Sequence, residues 1–339
     1  MKEIKITANE SGQRLDKLLK KYLKEATGSF IYKMLRKKNI VLNDKKASGN
    51  EKLKEGDSVK LYFSDETLKK FEGQPTTLAK TKKTSGKKIP VIYEDEHILL
   101  INKPVGVLSQ KAEKNDTSIV EYLTDYLMVS GQITEETLKT FRPAVCNRLD
   151  RNTSGLIVAG KSLPGLQKMA EIFKDRSVKK YYLCIVKGKL TKQAHINGYL
   201  AKDEKTNKVT VKMAGGLQGD QRIETEYEPI AWNKEVTLLK VHLITGKTHQ
   251  IRAHLSAIGH PLLGDYKYGN RQTNELYKKE YHLSAQLLHA YQITFPKMQE
   301  PLQQLTGKTY IAPVPEKFWK IIKETKWEHG IQEALEVQH

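Results

Sequence analysis

The chain has 339 residues, 38% of them hydrophobic and 29% charged, and carries a net charge of +19, a length that allows two or three domains and a sizeable core. No apolar run approaches the roughly 20 residues of a membrane span, the first residues lack a signal-peptide core, and two distant cysteines, Cys146 and Cys184, make neither a disulfide framework nor a zinc site. The expectation is a soluble, cytoplasmic protein with a polyanionic partner.

The charge is uneven. Residues 1–88 hold 23 Lys and Arg against 11 Asp and Glu, so most of the excess lies in the first quarter of the chain. There, Leu15, Leu18, Leu19, Tyr22 and Leu23 fall on one face of a helix. A second helix is expected with Ser29 as its N-cap. Its Phe30, Ile31, Met34 and Leu35 should point inward, with Tyr32, Lys33, Arg36 and Lys37 outward. A short strand follows at Ile40-Val41-Leu42, then a turn at Asn43-Asp44 and a strand over 59–63. The order of these pieces, with Arg14-Leu15-Asp16, Val41-Leu42-Asn43 and Gly56-Asp57 in place, resembles an S4-type RNA-binding module over residues 1–65. The resemblance implies RNA contacts from Arg14, Lys33, Arg36 and Lys37.

Residues 66–88 read as a basic linker. Seven lysines lie between 69 and 88 with no apolar periodicity, too little to pack. Residues 89–325 form the large domain, and 326–339 a tail. Two strands flank the acidic turn at Glu94-Asp95-Glu96. Further strands are expected near 181–186, 209–213, 225–227, 236–244 and 292–295, and helices near 118–128, 165–174 and 249–258. Strands outnumber helices and do not alternate with them regularly. That predicts an α+β fold with a mixed, mostly antiparallel sheet. Neither a Gly-x-Gly-x-x-Gly nor a P-loop sequence occurs, so no nucleotide cofactor is expected.

The stretch from Cys146 to Leu156 stands out within this domain. An apolar run, Pro143-Ala144-Val145-Cys146, leads into Arg148-Leu149-Asp150-Arg151, a Thr-Ser-Gly turn follows, and a second apolar run begins at Leu156. This reads as strand, loop, strand. Asp150 between two permanent cations should stay ionised. A held carboxylate on a loop suits a nucleophile or a base.

Four segments in order carry a resemblance to the RluA-type family of RNA pseudouridine synthases. They are Asn102-Lys103-Pro104-Val105-Gly106, the segment from Arg148 to Leu156, Lys180-Tyr181-Tyr182 through Gly188, and Thr245-Gly246-Lys247-Thr248-His249-Gln250-Ile251-Arg252 on through Asp265. The resemblance implies that Asp150 acts at the glycosidic bond of an extruded uridine, by attacking ribose C1′, by stabilising it or by removing a ribose proton. It makes Tyr182 the ring that meets the base, chosen over Tyr181 because it alternates with Cys184 and Val186. It makes Arg252 the partner that fixes Asp150. Arg148, Arg151, Lys103, Lys247, His249 and Gln250 are then candidate RNA contacts. Three positions depart from the family pattern. Asn147 stands where histidine is usual, Lys247 where arginine is usual, and Ala159-Gly160 in place of a bulkier apolar pair. His249, His254 and His260 lack the spacing of a helical zinc site, so no metal is expected and their bonds should go to RNA or to the backbone.

A flipped uridine leaves its stack most cheaply from a loop or bulge, so structured RNA is the expected substrate. The S4-like module favours 23S ribosomal RNA. A non-catalytic RNA-binding or assembly factor on the same fold is the alternative, and Asp150, Tyr182 and Arg252 together speak against it. Nothing in the sequence requires more than a monomer.

Overall fold

The computed structural model describes residues 1–72, 89–113, 116–203 and 208–337. The N-terminal unit runs β1 (Lys2–Lys5), α1 (Leu15–Tyr22), α2 (Gly28–Arg36), β2 (Ile40–Leu42), β3 (Lys45–Lys46), β4 (Ser58–Leu61) and α3 (Asp65–Glu72). Its four strands pair antiparallel in the order β1-β4-β2-β3. Leu15, Leu18, Leu19 and Tyr22 recur at helical spacing and are all buried on one face of α1. On α2, Ile31 and Leu35 are buried, Phe30 and Met34 pack beside them, and Tyr32, Lys33, Arg36 and Lys37 are exposed.

Two expectations for this unit need correction. The N-cap of α2 is Thr27, not Ser29. Thr27 sits in extended backbone and its side chain accepts from the Phe30 N–H, so the helix begins two residues earlier than a Ser29 cap would have it. The linker also begins later than residue 66. Leu68 of α3 is buried and Phe71 packs its ring against Phe30, with centroids 4.3 Å apart. Those two apolar residues at i, i+3 suffice to seat a helix among the lysines. The remainder of the expected linker, 73–88, lies outside the described residues.

The large domain continues with β5 (Val91–Glu94), β6 (Ile98–Lys103), α4 (Ile119–Val129), α5 (Thr137–Thr140), β7 (Ala144–Val145), β8 (Ser154–Gly160), α6 (Leu163–Lys174), β9 (Lys179–Lys187), β10 (Ala194–Asp203), β11 (Lys208–Lys212), β12 (Gln221–Trp232), β13 (Val236–Leu243), α7 (Gln250–Ala257), α8 (Arg271–Tyr281), β14 (Leu288–Thr294), β15 (Thr309–Ile311), α9 (Glu316–Glu324) and α10 (Ile331–Glu336). The strands form one sheet in the order β11-β10-β12-β13-β9-β14-β8-β6-β5, with β15 on β14 and β7 on β8. Only the β14–β8 pairing is parallel among these. The expected mixed, mostly antiparallel α+β fold is what forms.

Alternation along each strand assigns the two faces. Leu99, Ile101, Ile157, Ala159, Tyr182, Cys184, Val186, Leu239 and Val241 point to one face, where Ile119, Leu123 and Leu127 of α4 and Ile251 and Leu255 of α7 cover them. On the other face, Ile98, Leu100, Leu156 and Val158 meet Met169 and Ile172 of α6, and Leu183, Ile185 and Leu238 meet α9 and α10. Both faces are covered, which is why β6 and β8 read as unbroken apolar runs. The segment after residue 325 is no loose tail. Trp327, Ala334 and Val337 are buried in the second face, and the Trp327 indole N–H donates to the Ile322 carbonyl at 2.8 Å.

The two units meet at α1 and α5. Glu10, almost fully buried, accepts from the Thr140 hydroxyl at 2.7 Å. The Tyr22 hydroxyl donates to Glu136 at 3.1 Å, Lys2 pairs with Glu136 at 2.9 Å, and Lys139 pairs with Glu72 at 3.1 Å.

Candidate active site

Asp150 sits in the loop between β7 and β8, and the loop's backbone is fastened on several sides. The Ser109 hydroxyl donates to the Leu149 carbonyl at 2.8 Å and accepts from the Leu149 N–H at 2.9 Å. The Gly106 N–H donates to the Arg151 carbonyl at 2.9 Å, and the Thr153 N–H to the Asp150 carbonyl at 3.1 Å. Just past the loop, Gly155, the second residue of β8, has a φ of +106°, and a Cβ there would lie 2.2 Å from the Ala290 carbonyl oxygen. Only glycine fits.

Asn147 explains its departure from the family pattern. Its Oδ1 accepts from the Val158 N–H at 2.8 Å and its Nδ2 donates to the Leu156 carbonyl at 3.2 Å. The side-chain amide thus continues the β7–β8 ladder beyond Val145. The Ala159-Gly160 departure also has a packing reason, since a Cβ on Gly160 would lie 2.3 Å from Leu166.

Arg252 reaches the carboxylate from the first turn of α7. Its Nη1 donates to Asp150 Oδ2 at 2.8 Å. Its Nε and Nη2 donate to the two oxygens of Asp265 at 2.7 and 2.9 Å. Burial works against the charge on Arg252, but Asp265 and Asp150 outweigh it and raise its pKa. Burial likewise opposes ionisation of Asp265, yet Arg252 and the Tyr268 and Lys267 N–H groups hold it below its ordinary value. A buried bidentate pair adds little net stability, but it fixes the rotamer of the third donor, Nη1. Asp265 has no accessible surface, and its role was not read from the sequence although it closes the late arginine motif.

Tyr182 of β9 is buried beside Leu149 and Ile251 in the first face of the core. Burial raises the pKa of its hydroxyl, and the charge of Asp150 raises it further. Tyr181 faces the other way and stacks on His242 with centroids 4.9 Å apart. His249 caps α7 in left-handed backbone, with φ 55°. Its Nδ1 lies 3.0 Å from the Tyr268 hydroxyl and its Nε2 3.8 Å from Asp150 Oδ2. The Arg252 guanidinium lies over the Tyr268 ring at 5.2 Å. Asp150, Arg252, His249, Tyr268 and Asp265 therefore form one connected group.

Other expected contacts divide. Arg148 and Arg151 are exposed beside the loop, and Arg151 lies 3.8 Å from Asp116. Lys247 is half-buried on the loop before α7. Lys103 is no surface contact. It is completely buried, and its ammonium donates to the carbonyls of Pro104, Val107 and Arg151 at 3.0, 2.7 and 3.0 Å. Burial pushes its pKa down to about 7, against the pull of Asp150. Three carbonyls take all three ammonium hydrogens, so Lys103 props the loop from beneath. Gln250 is also inside. It bonds Thr245, the Glu224 carbonyl and Thr225, and ties the loop before α7 to β12. Arg14 donates to Asp16 and Asn50, which also takes it out of the row of free surface cations. The remaining histidines bond within the protein, His254 to Thr225 and His260 to the Lys187 carbonyl. Among the described residues, no group of three or more His, Cys, Asp or Glu is arranged to hold a metal ion.

Comparison with known proteins gives a consistent answer. Residues 97–257 match the family described as RNA pseudouridylate synthase. The ribosomal large subunit pseudouridine synthase C of Escherichia coli is 30% identical over 301 residues, covering 87% of this chain and 88% of that protein. The protein of the same name from Vibrio vulnificus is 29% identical over 331 residues, covering 95% and 96%. An uncharacterized RNA pseudouridine synthase of Mycoplasma genitalium is 30% identical over 297 residues, covering 87% and 89%. The solved structure of human RNA pseudouridylate synthase domain containing 4 shares the fold, with a TM-score of 0.51 at 20% identity over 74% of this chain and 92% of that one. Identity at this level, spread over nearly nine tenths of both partners, places the chain in the RNA pseudouridylate synthase family, as an isomerase that acts on RNA.

Proposed function

We propose that the chain converts uridine to pseudouridine in large-subunit ribosomal RNA, with Asp150 acting at ribose C1′ of a flipped-out uridine. The observation that carries this reading is the asymmetric hold on Asp150. Oδ2 is bound by Arg252, which Asp265 clamps from behind, while Oδ1 accepts no hydrogen bond among the described residues. The relatives named for the ribosomal large subunit support the choice of RNA. In the reaction the C1′–N1 bond breaks, the base turns, a C1′–C5 bond forms, N1 gains a proton and C5 loses one. A fixed carboxylate supplies electron density to the electron-poor ribose while the uracil departs. Tyr182 supplies a ring beside that base. Extrusion costs a few kcal/mol and favours loops and bulges.

Residues 1–65 are proposed to be an S4-like module that grips the RNA backbone through Lys33 and Arg36 of α2 and Lys37 at its C-cap, all exposed. The same reading has the protein working as a cytoplasmic monomer without a nucleotide cofactor.

The test is Asp150→Asn, assayed on large-subunit rRNA transcript carrying tritium at uracil C5. Tritium release should vanish while RNA affinity stays within about threefold, since one neutralised carboxylate removes no phosphate contact. The wild-type product should keep the mass of the substrate, because isomerisation conserves it. Loss of uracil would indicate a glycosylase, and full turnover by the variant would exclude Asp150 as the acting residue.

A further inference from the structure

Among the described residues, Arg252 and His249 both approach the same oxygen of Asp150. Arg252 Nη1 lies 2.8 Å from Oδ2 and His249 Nε2 lies 3.8 Å from it. The second distance is longer than a hydrogen bond, but apo sites often close such gaps when substrate arrives. Whether His249 can donate there depends on where its proton sits. Tyr268 decides this. Its hydroxyl oxygen accepts from the Val209 N–H at 3.0 Å. The hydroxyl proton then has one acceptor among the described residues, His249 Nδ1 at 3.0 Å. An imidazole that accepts at Nδ1 carries its proton on Nε2, directed at Asp150. The left-handed backbone of His249 is a further sign of constraint. Such a conformation in a non-glycine residue costs on the order of 1 kcal/mol and persists where surrounding structure imposes it. Here the surroundings are Tyr268, whose ring also supports Arg252.

We propose that His249 is a positioning residue, whose Nε2–H, set by Tyr268, works with Arg252 to hold Oδ2 so that Oδ1 alone faces the ribose. The inference rests on Asp150 as the acting carboxylate and adds the device that aims it. His249 had been expected to contact RNA, and this assigns it to the carboxylate instead. The charged and titratable groups around the imidazole are Asp150, Arg252, Asp265, Lys267 and Tyr268. Burial lowers the His249 pKa, with Arg252 and Lys267 adding to the effect and Asp150 opposing it. The net direction favours the neutral ring, which is the form with a single Nε2–H donor.

The experiment compares His249→Phe, His249→Gln and Tyr268→Phe in the full chain, by single-turnover tritium release with saturating enzyme on RNA that the wild type modifies. His249→Phe should slow the chemical step by about 10- to 100-fold, in the range for loss of one preorganised donor, with RNA affinity unchanged. His249→Gln should recover most of the rate, because its amide N–H falls near the position of Nε2. Tyr268→Phe frees Nδ1 to take a proton, which raises the His249 pKa. An imidazolium there binds Oδ2 more tightly and weakens the carboxylate as a nucleophile, so the acid limb of the rate profile should move to higher pH. A merely structural tyrosine would not move that limb. A wild-type rate in His249→Phe, or a loss confined to RNA affinity, overturns the inference. An inactive Asp150→Asn beside a normal His249→Phe sinks only the positioning role, whereas an active Asp150→Asn removes the reading beneath it.

Discussion

His289 has no accessible surface, and both its nitrogens are occupied. Nε2 donates to the Ala312 carbonyl at 3.1 Å, which leaves Nδ1 to accept from the Ser154 hydroxyl at 2.9 Å. Burial pushes its pKa down to about 4, and burial does the same to His254. A folded-state pKa below the unfolded value of 6.5 means that the unfolded chain takes up protons first. These histidines therefore contribute stability above about pH 6.5 that is lost as pH falls toward 4. The loss should reach about 2 kcal/mol per histidine by pH 5. Urea unfolding at pH 7 and pH 5 measures it, and His289→Gln should flatten the dependence even though it lowers stability overall. An unchanged slope in that variant would show that His289 does not titrate in this window. Because Ser154 follows the Asp150 loop directly, activity should fall over the same range.

At the scale of elements, the placement of the loop depends on how closely β8 approaches β14. The two strands pair in parallel, with Ala290 opposite Gly155, and no side chain fits between them. Gly155→Ala should cost about 3 kcal/mol or more, because it combines a backbone clash with a positive φ. Gly12→Ala is a suitable control. Gly12 also has positive φ but faces open space, so its cost should stay near 1 kcal/mol. Thermal denaturation compares the two, and equal losses would mean that the contact with β14 yields easily. Elements such as β6, β8, β9 and β13 were legible in the sequence because they are buried on both faces and rich in branched residues. β10 was not. Its segment, Ala194 to Asp203, has a central glycine and mixed polarity, and it pairs through its backbone with β12 and β11. α9 carries Phe318, Trp319, Ile321 and Ile322 at helical spacing and was open to reading but passed over, whereas α10 has only six residues, too few for a periodic pattern to show. The pairing of Asp150 with Arg252 was legible through its motifs, and the two side chains do meet. Lys103 and Gln250 were misread because the sequence shows a polar group but not whether carbonyls or water surround it.

For the whole molecule, charge and docking matter together. If the exposed cations of α2 hold phosphates, as proposed, then Lys33→Gln, Arg36→Gln and Lys37→Gln combined should reduce the salt dependence of RNA binding. The slope of log affinity against log salt should fall by roughly 2 to 3, about 0.7 to 0.9 for each lost contact. The rate at saturating enzyme should stay the same. Filter binding across a salt series reads the slope, and an unchanged slope would place the RNA on another face. Asp150 and α2 lie in different units, so such a variant separates grip from chemistry in a way that no single residue in the loop can.

The seam between those units has a consequence for what the enzyme can measure. Glu10 and Thr140 bond inside the seam, and Glu72, Glu136, Lys2 and Lys139 brace its edge. A module fastened at a set angle cannot swing to follow its target. On the proposed reading, the span from α2 to Asp150 then acts as a fixed gauge laid along the RNA. A uridine is accepted when its distance from a neighbouring helix matches that gauge, and its immediate sequence matters less.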